Sequence, residues 1–306
     1  MASASNLPES YNTFQLPDLI LSHHPESSPT VTPVVIIKLH RPRERNAFTD
    51  RLGNSLVAAY DALSADPRVR CIVLASSDPA GAVFCAGMDL HDQINTDVPQ
   101  ADYRDIGGIV GLAMERCKKP IIAAISGSAV GIGVTMTLPA TIRVASKDAK
   151  VGFVFSRRGF NMEAASSFYL PRLVGASRAL HLVTTGGVYP ASHRLFDGLF
   201  SEVVSQDRVL PSALEIADDI AANASIVSAR VMRDLILRSP SSPEEAHLLE
   251  SKLFWDLFRG RDTKEGIDSF MQKRQPDFKG TIDEDAPTHY PWWQALDTKT
   301  KVRSKI

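Results

Sequence analysis

Short apolar runs rich in β-branched residues, separated by helical patterns, are the feature that most constrains this fold. The clearest runs lie at 31–39 (VTPVVIIKL), 71–75 (CIVLA) and 120–125 (PIIAAI). Between the first two, apolar residues recur at helical spacing from Asp50 to about Ala65, which predicts a helix capped by Thr49 or Asp50. Buried strands that alternate with helices indicate an α/β fold.

The chain divides into four regions by composition. Residues 1–30 are polar and are interpreted as a mostly unstructured or loosely docked arm, whereas residues 31–206 form a core of alternating strands and helices. Residues 207–275 are almost entirely helical in pattern, so residues 207–280 are predicted to form a C-terminal helical region. Residues 281–306 return to a polar, loop-like tail.

Composition argues against nucleic acid, a membrane or a metal ion as the partner. The 306-residue chain carries a formal net charge of -1, so it lacks the basic surface that polyanions attract. No apolar run approaches the roughly 20 residues that span a bilayer. Cys71, Cys85 and Cys117 are not spaced as metal ligands, which indicates a reducing compartment and no zinc site.

The last three residues resemble a targeting signal. Ser304-Lys305-Ile306 differs by one conservative change from the S-K-L peroxisomal signal, and basic residues precede it. The tripeptide predicts recognition by the peroxisomal import receptor, although a frayed basic tail explains the same residues. Upstream, Trp292 and Trp293 are candidates to anchor the tail to the body.

The segment 84–90 (FCAGMDL) is a candidate to bind an oxyanion. The small residues Ala86 and Gly87 let a ligand approach the backbone, and Asp89 stands where a helix is predicted to start. Free backbone N–H groups at such a turn can bind a negatively charged oxygen. An ordinary strand-to-helix turn explains the same residues.

The segment 127–133 (GSAVGIG) partly matches a dinucleotide-binding loop. Its G-x-G pattern lies between a predicted strand and a predicted helix, but Met136 occupies the last glycine position of the G-x-G-x-x-G fingerprint. We therefore set a Rossmann site aside. The N–H of Ile132 remains a candidate for a second oxyanion donor.

One acidic residue, Glu163, lies in an otherwise apolar and small-residue stretch within 149–175. A carboxylate in such surroundings is costly unless it stays solvated, finds a partner or gives up its charge, so we expect a raised pKa. Two interpretations remain open at this point. Glu163 is a catalytic base, or it is an acid in the first turn of a helix that Asn161 caps.

Several segments, taken in order, resemble the crotonase superfamily of enoyl-CoA hydratases and isomerases. They lie at 41–48 (RPRERNAF), 66–76 (DPRVRCIVLAS), 84–90 (FCAGMDL), 119–133 (KPIIAAISGSAVGIG), 170–179 (LPRLVGASRA) and 265–280 (EGIDSFMQKRQPDFKG). The resemblance implies a spiral core of ββα turns with a C-terminal helical region, assembled as homotrimers or hexamers. It also implies an acyl-CoA substrate and no cofactor beyond the CoA that this substrate carries.

The resemblance also implies roles for particular residues. The thioester carbonyl would lie between the backbone N–H groups of Met88 and Ile132. The 41–48 loop would approach the CoA nucleotide, with Arg41, Arg43 or Arg45 available to its phosphates. The implied substrate-binding residues are Arg43, Arg45, Ala47, Ala86, Gly87, Met88, Asp89, Leu90, Gly131 and Ile132.

Two departures from the family pattern bear on the activity. Hydratases of this family carry two glutamates, whose matching positions here are Thr135 and Phe155, and neither side chain is a general acid or base at neutral pH. Glu163 instead matches the single glutamate of peroxisomal Δ3,Δ2-enoyl-CoA isomerases. The resemblance thus implies that a 3-enoyl-CoA is isomerised through a dienolate, in the peroxisome or else the cytoplasm. An enoyl-CoA hydratase and a non-catalytic acyl-CoA-binding protein remain alternatives.

Overall fold

The computed structural model describes residues 7–91 and 98–298, which form two sheets surrounded by helices. The strands are β1 (Leu19–His24), β2 (Val34–Leu39), β3 (Cys71–Ser76), β4 (Val83–Cys85), β5 (Ile121–Ile125), β6 (Ser128–Val130), β7 (Ile142–Ser146), β8 (Lys150–Gly152), β9 (Val188–Pro190) and β10 (Glu202–Val204). The helices are α1 (Asp50–Ala65), α2 (Ile106–Arg116), α3 (Ile132–Thr135), α4 (Ser166–Val174), α5 (Ala176–Thr185), α6 (Val209–Asn223), α7 (Ile226–Leu237), α8 (Pro243–Phe258), α9 (Arg261–Gln272) and α10 (Ile282–Asp285). The predicted α/β class is confirmed.

The larger sheet has the strand order β1-β2-β3-β5-β7-β10. β1 runs antiparallel to β2, and the other neighbouring strands run parallel to each other. Val35 and Ile37 of β2 face the main core, whereas Val34 and Ile36 face a second apolar cluster formed with α6. Because both faces are covered, these strands read as continuous apolar runs instead of alternating patterns.

The smaller sheet, β4-β6-β8-β9, holds the second strand of successive ββα units. β3, β5 and β7 lie in the larger sheet, and the strand that follows each of them, β4, β6 or β8, lies in the smaller sheet before a helix. This repeated path is the spiral that the sequence resemblance implied. β4 and β6 pair in parallel, which brings the segments that follow these two strands side by side.

β1 belongs to the larger sheet and Tyr11 is buried, so the prediction of a mostly unstructured or loosely docked arm at 1–30 is wrong for residues 11–24. β1 pairs along its length with β2, and Tyr11 is fully buried, with its hydroxyl donating to Asp66 Oδ2 at 3.1 Å. The backbone N–H of Tyr11 donates to Nε2 of the buried His23 at 3.0 Å. The polar composition concealed the strand because an edge strand needs few apolar residues to mark its buried face.

The helix predicted after Thr49 is confirmed as α1. The Thr49 hydroxyl oxygen accepts a hydrogen bond from the Leu52 N–H at 3.2 Å, as a capping side chain does. The helix ends at Ala65, where the following Asp66-Pro67 disfavours further helix. α1 packs against α2, the helix that supplies one wall of the site described below.

The C-terminal helices are followed by an anchored tail. The indole N–H of Trp292 donates to the carbonyl oxygen of Arg238 at 3.2 Å. The Arg238 guanidinium lies 4.3 Å from the centre of the Trp293 ring, and the Tyr290 hydroxyl donates to Asp234 Oδ2 at 2.6 Å. The predicted anchoring by the two tryptophans is therefore confirmed.

The structure bears on membrane spans but not on the import tripeptide or on the region boundaries. None of the helices in the two described ranges is both long and apolar enough to cross a bilayer. The tripeptide Ser304-Lys305-Ile306 lies outside the described residues. The region boundaries after residues 30, 206 and 280 stay predictions.

Candidate active site

Two backbone turns come together at the ends of β4 and β6. A Cβ at Gly133 would lie 2.3 Å from the carbonyl oxygen of Cys85, and a Cβ at Gly87 would lie 3.1 Å from that of Val130. The first contact leaves no room for a side chain, and Gly87 also has a φ of 104°, which favours glycine. These are the two turns in which the sequence predicted oxyanion donors.

The backbone N–H of Met88 points away from the segment that contains Phe48. The Phe48 N–H donates to the carbonyl oxygen of Gly87, and the Phe48 carbonyl accepts from the Asp89 N–H, both at 2.8 Å. In such a parallel bridge the residue between the two bonded ones, Met88, directs its own N–H to the opposite side. β4, the strand that precedes this turn, pairs with β6.

The backbone N–H of Ile132 is held by the turn that begins α3. Because Ile132 is the first residue of that helix, its N–H has no carbonyl partner within the helix. Gly131 before it has φ 56° and ψ -125°, a conformation that residues with a Cβ rarely adopt. The Gly131 N–H donates to the carbonyl oxygen of Gly152 at 2.9 Å, which fixes the turn against β8.

Glu163 reaches the same place from a third segment. A Cβ at Gly107 of α2 would lie 2.0 Å from Glu163 Oε2 and 2.7 Å from Ile132 Cδ1. The side chains of Glu163 and Ile132 therefore both pack against the backbone of Gly107. The Glu163 carboxylate thus lies near Ile132, whose backbone N–H is the second predicted oxyanion donor. Sequence reasoning missed Gly107, although a glycine within a helical pattern, which costs about 1 kcal/mol, was a usable signal.

The surroundings of Glu163 bring its pKa to about 7, mainly because burial disfavours the charged form. The negative charge of Asp105 raises the pKa further, and the Thr135 hydroxyl opposes both effects by donating to Glu163 Oε1 at 2.5 Å. Asp105 is held nearby because it caps α2 and accepts from the Ala164 N–H at 3.4 Å. A carboxyl group with a pKa near neutrality can both accept and return a proton.

The helix-start interpretation of Glu163 is wrong. α4 begins at Ser166, and the two residues between them, Ala164 and Ala165, have left-handed φ values of 56° and 53°. The Asn161 side chain donates to the carbonyl oxygen of Met162 and does not cap the helix. Left-handed alanines cost free energy and are concentrated at functional sites, where the surrounding structure holds a side chain in place.

The family model for enoyl-CoA hydratase/isomerase matches residues 30–281 of this chain. The chain belongs to the enoyl-CoA hydratase/isomerase family. The predicted crotonase-type fold and the predicted enzyme class, acting on acyl-CoA thioesters, are confirmed.

Individual relatives agree with this assignment. The chain is 49% identical to enoyl-CoA hydratase AFT3-1 of Alternaria alternata, over 84% of this chain and 86% of that protein. It is 29% identical to 1,2-epoxyphenylacetyl-CoA isomerase of Escherichia coli (strain K12), over 86% of this chain and 99% of that protein. A probable enoyl-CoA hydratase/isomerase from Mycobacterium abscessus superposes with a TM-score of 0.73 at 33% identity, covering 81% of this chain and 96% of that structure.

Thr135 and Phe155, the positions at which the sequence resemblance implies the glutamates of a hydratase, have no acid–base capacity. Phe155 lies in a short helical turn, and its ring packs edge-on against Phe160 with 6.0 Å between the ring centres. Thr135 is fully buried on α3 and donates to Glu163. The sequence placed Thr135 in the site by its position but held no sign of this hydrogen bond. Of residues 135, 155 and 163, Glu163 is therefore the one that carries a carboxyl group.

The 41–48 loop uses one of its arginines internally. The Arg41 guanidinium pairs with Asp89 Oδ2 at 3.2 Å and also donates to the carbonyl oxygen of Ala47. Arg41 is thus held within the protein, and it contributes to lowering the pKa of Asp89 after the backbone hydrogen bond from His91. The side chains of Arg43 and Arg45 are exposed, as groups that meet a CoA phosphate need to be.

The remaining predicted substrate-binding residues surround the two turns. Ala47, Ala86 and Met88 are half-buried, whereas the side chain of Leu90 is 72% exposed just before the undescribed residues 92–97. Asp89 is tied to Arg41, as described above. The roles assigned to these residues stay predictions.

Proposed function

We propose that this enzyme isomerises a 3-enoyl-CoA to a 2-enoyl-CoA, with Glu163 as the single proton shuttle. The observation that carries the proposal is the position of Glu163, whose carboxyl group has a pKa of about 7 and rests on Gly107 beside Ile132. The positions that would supply a hydratase with its carboxylates hold Thr135 and Phe155 instead. One carboxyl group suffices for isomerisation because the same group can remove one proton and return it elsewhere.

The proposed reaction starts with ionised Glu163. Its carboxylate takes a proton from C2, and the electron pair of the broken C–H bond passes into a dienolate whose negative charge lies on the thioester oxygen. The N–H groups of Met88 and Ile132 donate to that oxygen. Loss of one such donor in other enzymes costs about 3–4 kcal/mol of transition-state stabilisation. Neutral Glu163 then returns the proton to C4, which leaves the double bond between C2 and C3 and restores the carboxylate.

A hydratase is the second candidate because the relatives at 48–49% identity are named enoyl-CoA hydratases. In that reaction Glu163 would take a proton from water as the water adds to C3, and would then deliver a proton to C2. Both steps would fall to one carboxyl group, since neither Thr135 nor Phe155 can share them. The non-catalytic alternative is not retained, because the family is one of enzymes.

Two substrates separate the candidates. Purified enzyme is given 3-hexenoyl-CoA and, separately, 2-hexenoyl-CoA, and the products are followed by ultraviolet absorbance and mass spectrometry. Isomerisation produces conjugated thioester of unchanged mass from the first substrate. Net hydration of the second substrate, with no conjugated product from the first, would contradict the isomerase proposal and favour the hydratase.

The assembly that we propose is a homotrimer or a hexamer of this chain. The support is a set of large apolar side chains on α8 and α9 that are more than half exposed in the single chain: Phe254, Trp255, Phe258, Phe270 and Met271. Exposed aromatic groups of this size mark interaction surfaces. Light scattering coupled to size-exclusion chromatography would give the mass of a trimer or a hexamer, and a monomeric mass at micromolar concentration would contradict the assembly.

The location that we propose is the peroxisome, through Ser304-Lys305-Ile306. The support is the near match of this tripeptide to the import signal, together with an acyl-CoA substrate. Appending residues 299–306 to a fluorescent protein tests the tripeptide apart from the enzyme. Punctate signal that coincides with a peroxisomal marker is expected, and diffuse signal identical to that of the same fusion without the tripeptide would contradict import.

A further inference from the structure

We propose that the Thr135 hydroxyl is a positioning group that couples the charge of Glu163 to the strength of the Ile132 N–H as an oxyanion donor. The inference rests on the proposed proton shuttle and adds to it a connection between the base and the oxyanion site. The connection runs through a single hydroxyl hydrogen that has two acceptors within reach.

The two acceptors are the carboxyl group of Glu163 and the backbone carbonyl of Gly131. Thr135 Oγ1 lies 2.5 Å from Glu163 Oε1 and 3.3 Å from the carbonyl oxygen of Gly131. A hydroxyl group has one hydrogen, so it donates fully to one of them at a time. Thr135 is fully buried, so the choice lies between these protein groups and not with bulk water.

The Gly131 carbonyl and the Ile132 N–H belong to the same peptide group. A hydrogen bond to the carbonyl oxygen polarises that peptide, and hydrogen bonds in a chain strengthen one another, so the N–H becomes a better donor. The Gly131 carbonyl already accepts from the N–H groups of Val134 and Thr135, each at 3.0 Å. The hydroxyl adds the contact with the residue four positions back that threonine commonly makes in helices.

The direction of the hydroxyl hydrogen follows the charge of Glu163. While Glu163 is ionised, the carboxylate is the stronger acceptor and holds the hydrogen. When the C2 proton arrives, Glu163 becomes neutral and the hydrogen turns to the Gly131 carbonyl. The Ile132 N–H is thus strengthened in the step that places negative charge on the thioester oxygen, and the change reverses when the proton passes to C4. No proton enters or leaves through Thr135.

Other titratable groups near Glu163 do not supply this coupling. Asp105, before α2, raises the pKa of Glu163 through its charge, but its carboxylate accepts from the N–H groups of Gly108 and Ala164. Burial raises the pKa of the Cys85 thiol to about 12, and burial also raises the pKa of Tyr103, so both stay neutral where Glu163 titrates. Among the described groups, the Thr135 hydroxyl is the one that contacts both the carboxyl group and the Gly131 carbonyl.

The test measures the donor strength without requiring turnover. Hexanoyl-CoA carrying 13C at the thioester carbonyl, a saturated ligand with no double bond to move, is bound to the enzyme, and its carbonyl stretching frequency is recorded by infrared spectroscopy from pH 5 to pH 9. In the wild-type enzyme the frequency should be lower at acid pH, where Glu163 is neutral, and should rise through a midpoint near the pKa of Glu163.

Three variants make the result specific. Thr135→Val replaces the hydroxyl by a methyl group of similar size and should abolish the pH dependence, whereas Thr135→Ser should keep it. Glu163→Gln should fix the frequency irrespective of pH, because its amide does not titrate. Circular dichroism confirms that each variant is folded, and Thr135→Ala, which also lacks the hydroxyl, takes the place of Thr135→Val if that variant does not fold.

The outcomes separate this inference from the proposed function. An unchanged pH dependence in folded Thr135→Val, or a pH-independent frequency in the wild-type enzyme, would overturn the coupling even if the enzyme isomerises 3-hexenoyl-CoA. A pH dependence that Thr135→Val removes, in an enzyme without isomerase turnover, would keep the coupling and overturn the isomerase assignment alone.

Discussion

Gly107 lies directly against the carboxylate of Glu163, so closely that a Cβ at residue 107 would lie 2.0 Å from Oε2. The contact places the proposed base beside Ile132, which presses on the same glycine. The absence of a side chain at 107 is thus part of the site, because it makes room for an acid between α2 and α3.

Gly107→Ala is expected to lower kcat by about 10²-fold or more, since a displacement of a reacting group by about 1 Å can cost that much. Alanine is favoured over glycine in a helix by about 1 kcal/mol, so the protein should remain folded. Gly266→Ala in α9 is the matched control, because its Cβ would meet only the Phe278 ring at 3.4 Å. Equal activity of the two variants would show that Gly107 does not position Glu163.

The pH dependence of the reaction is expected to follow ionisation of Glu163. The group must be charged to accept the C2 proton, and its pKa lies near 7, so kcat/KM should fall about tenfold per pH unit well below 7 and level off above it. Stopped-flow assays of 3-hexenoyl-CoA between pH 5 and pH 9 measure this profile. A profile that stays flat down to pH 5 would contradict a carboxyl group with a raised pKa as the base.

Glu163 is also expected to reduce stability at neutral pH. Folding raises the pKa of Glu163, so its contribution to the free energy of unfolding is most favourable below the unfolded pKa near 4.5, where the group is neutral in both states. This contribution is lost as pH rises through about 7. The full shift corresponds to a free energy on the order of 3 kcal/mol. Urea unfolding should show Glu163→Gln to be more stable than the wild type at pH 8, with the difference shrinking towards pH 4.5. A difference that does not vary with pH would contradict the raised pKa.

The N-terminal segment is expected to contribute to stability as a core element does. Tyr11→Ala should cost about 3–5 kcal/mol, as truncation of other buried aromatic side chains does. Tyr11→Phe removes only the hydroxyl that donates to Asp66 and should cost less, about 1.5–3 kcal/mol. Urea unfolding of both variants separates the ring from the hydroxyl. A loosely docked arm would instead give changes within about 0.5 kcal/mol.

The exposed arginines of the 41–48 loop are expected to act on the nucleotide part of CoA. Arg45→Ala should raise the KM for the CoA thioester severalfold with little change in kcat, because it removes binding that is equal in the ground and transition states. The hexenoyl thioester of N-acetylcysteamine, which lacks the nucleotide, serves as the control substrate. An equal rise in KM for both thioesters would show that Arg45 does not meet the CoA phosphates.

Local sequence patterns predicted much of the fold and some of the site. Thr49 before an apolar helical pattern marked the start of α1, and the turns after β4 and β6 were recognisable from their small residues. The placement of Glu163 was not predictable in this way, because it depends on two left-handed alanines in a segment that reads as a helix start. The Thr135–Glu163 hydrogen bond joins residues 28 positions apart, and only the tertiary fold brings them together.

Turnover of 3-hexenoyl-CoA by the wild-type enzyme and Glu163→Gln tests the single-base mechanism most directly. The glutamine keeps the size of the side chain and can accept from Thr135, but it cannot take a proton from C2. The mechanism predicts conjugated 2-hexenoyl-CoA from the wild type and a kcat lower by about 10²–10⁴-fold in the variant. A Glu163→Gln enzyme that is folded and keeps the full isomerase rate would contradict the mechanism.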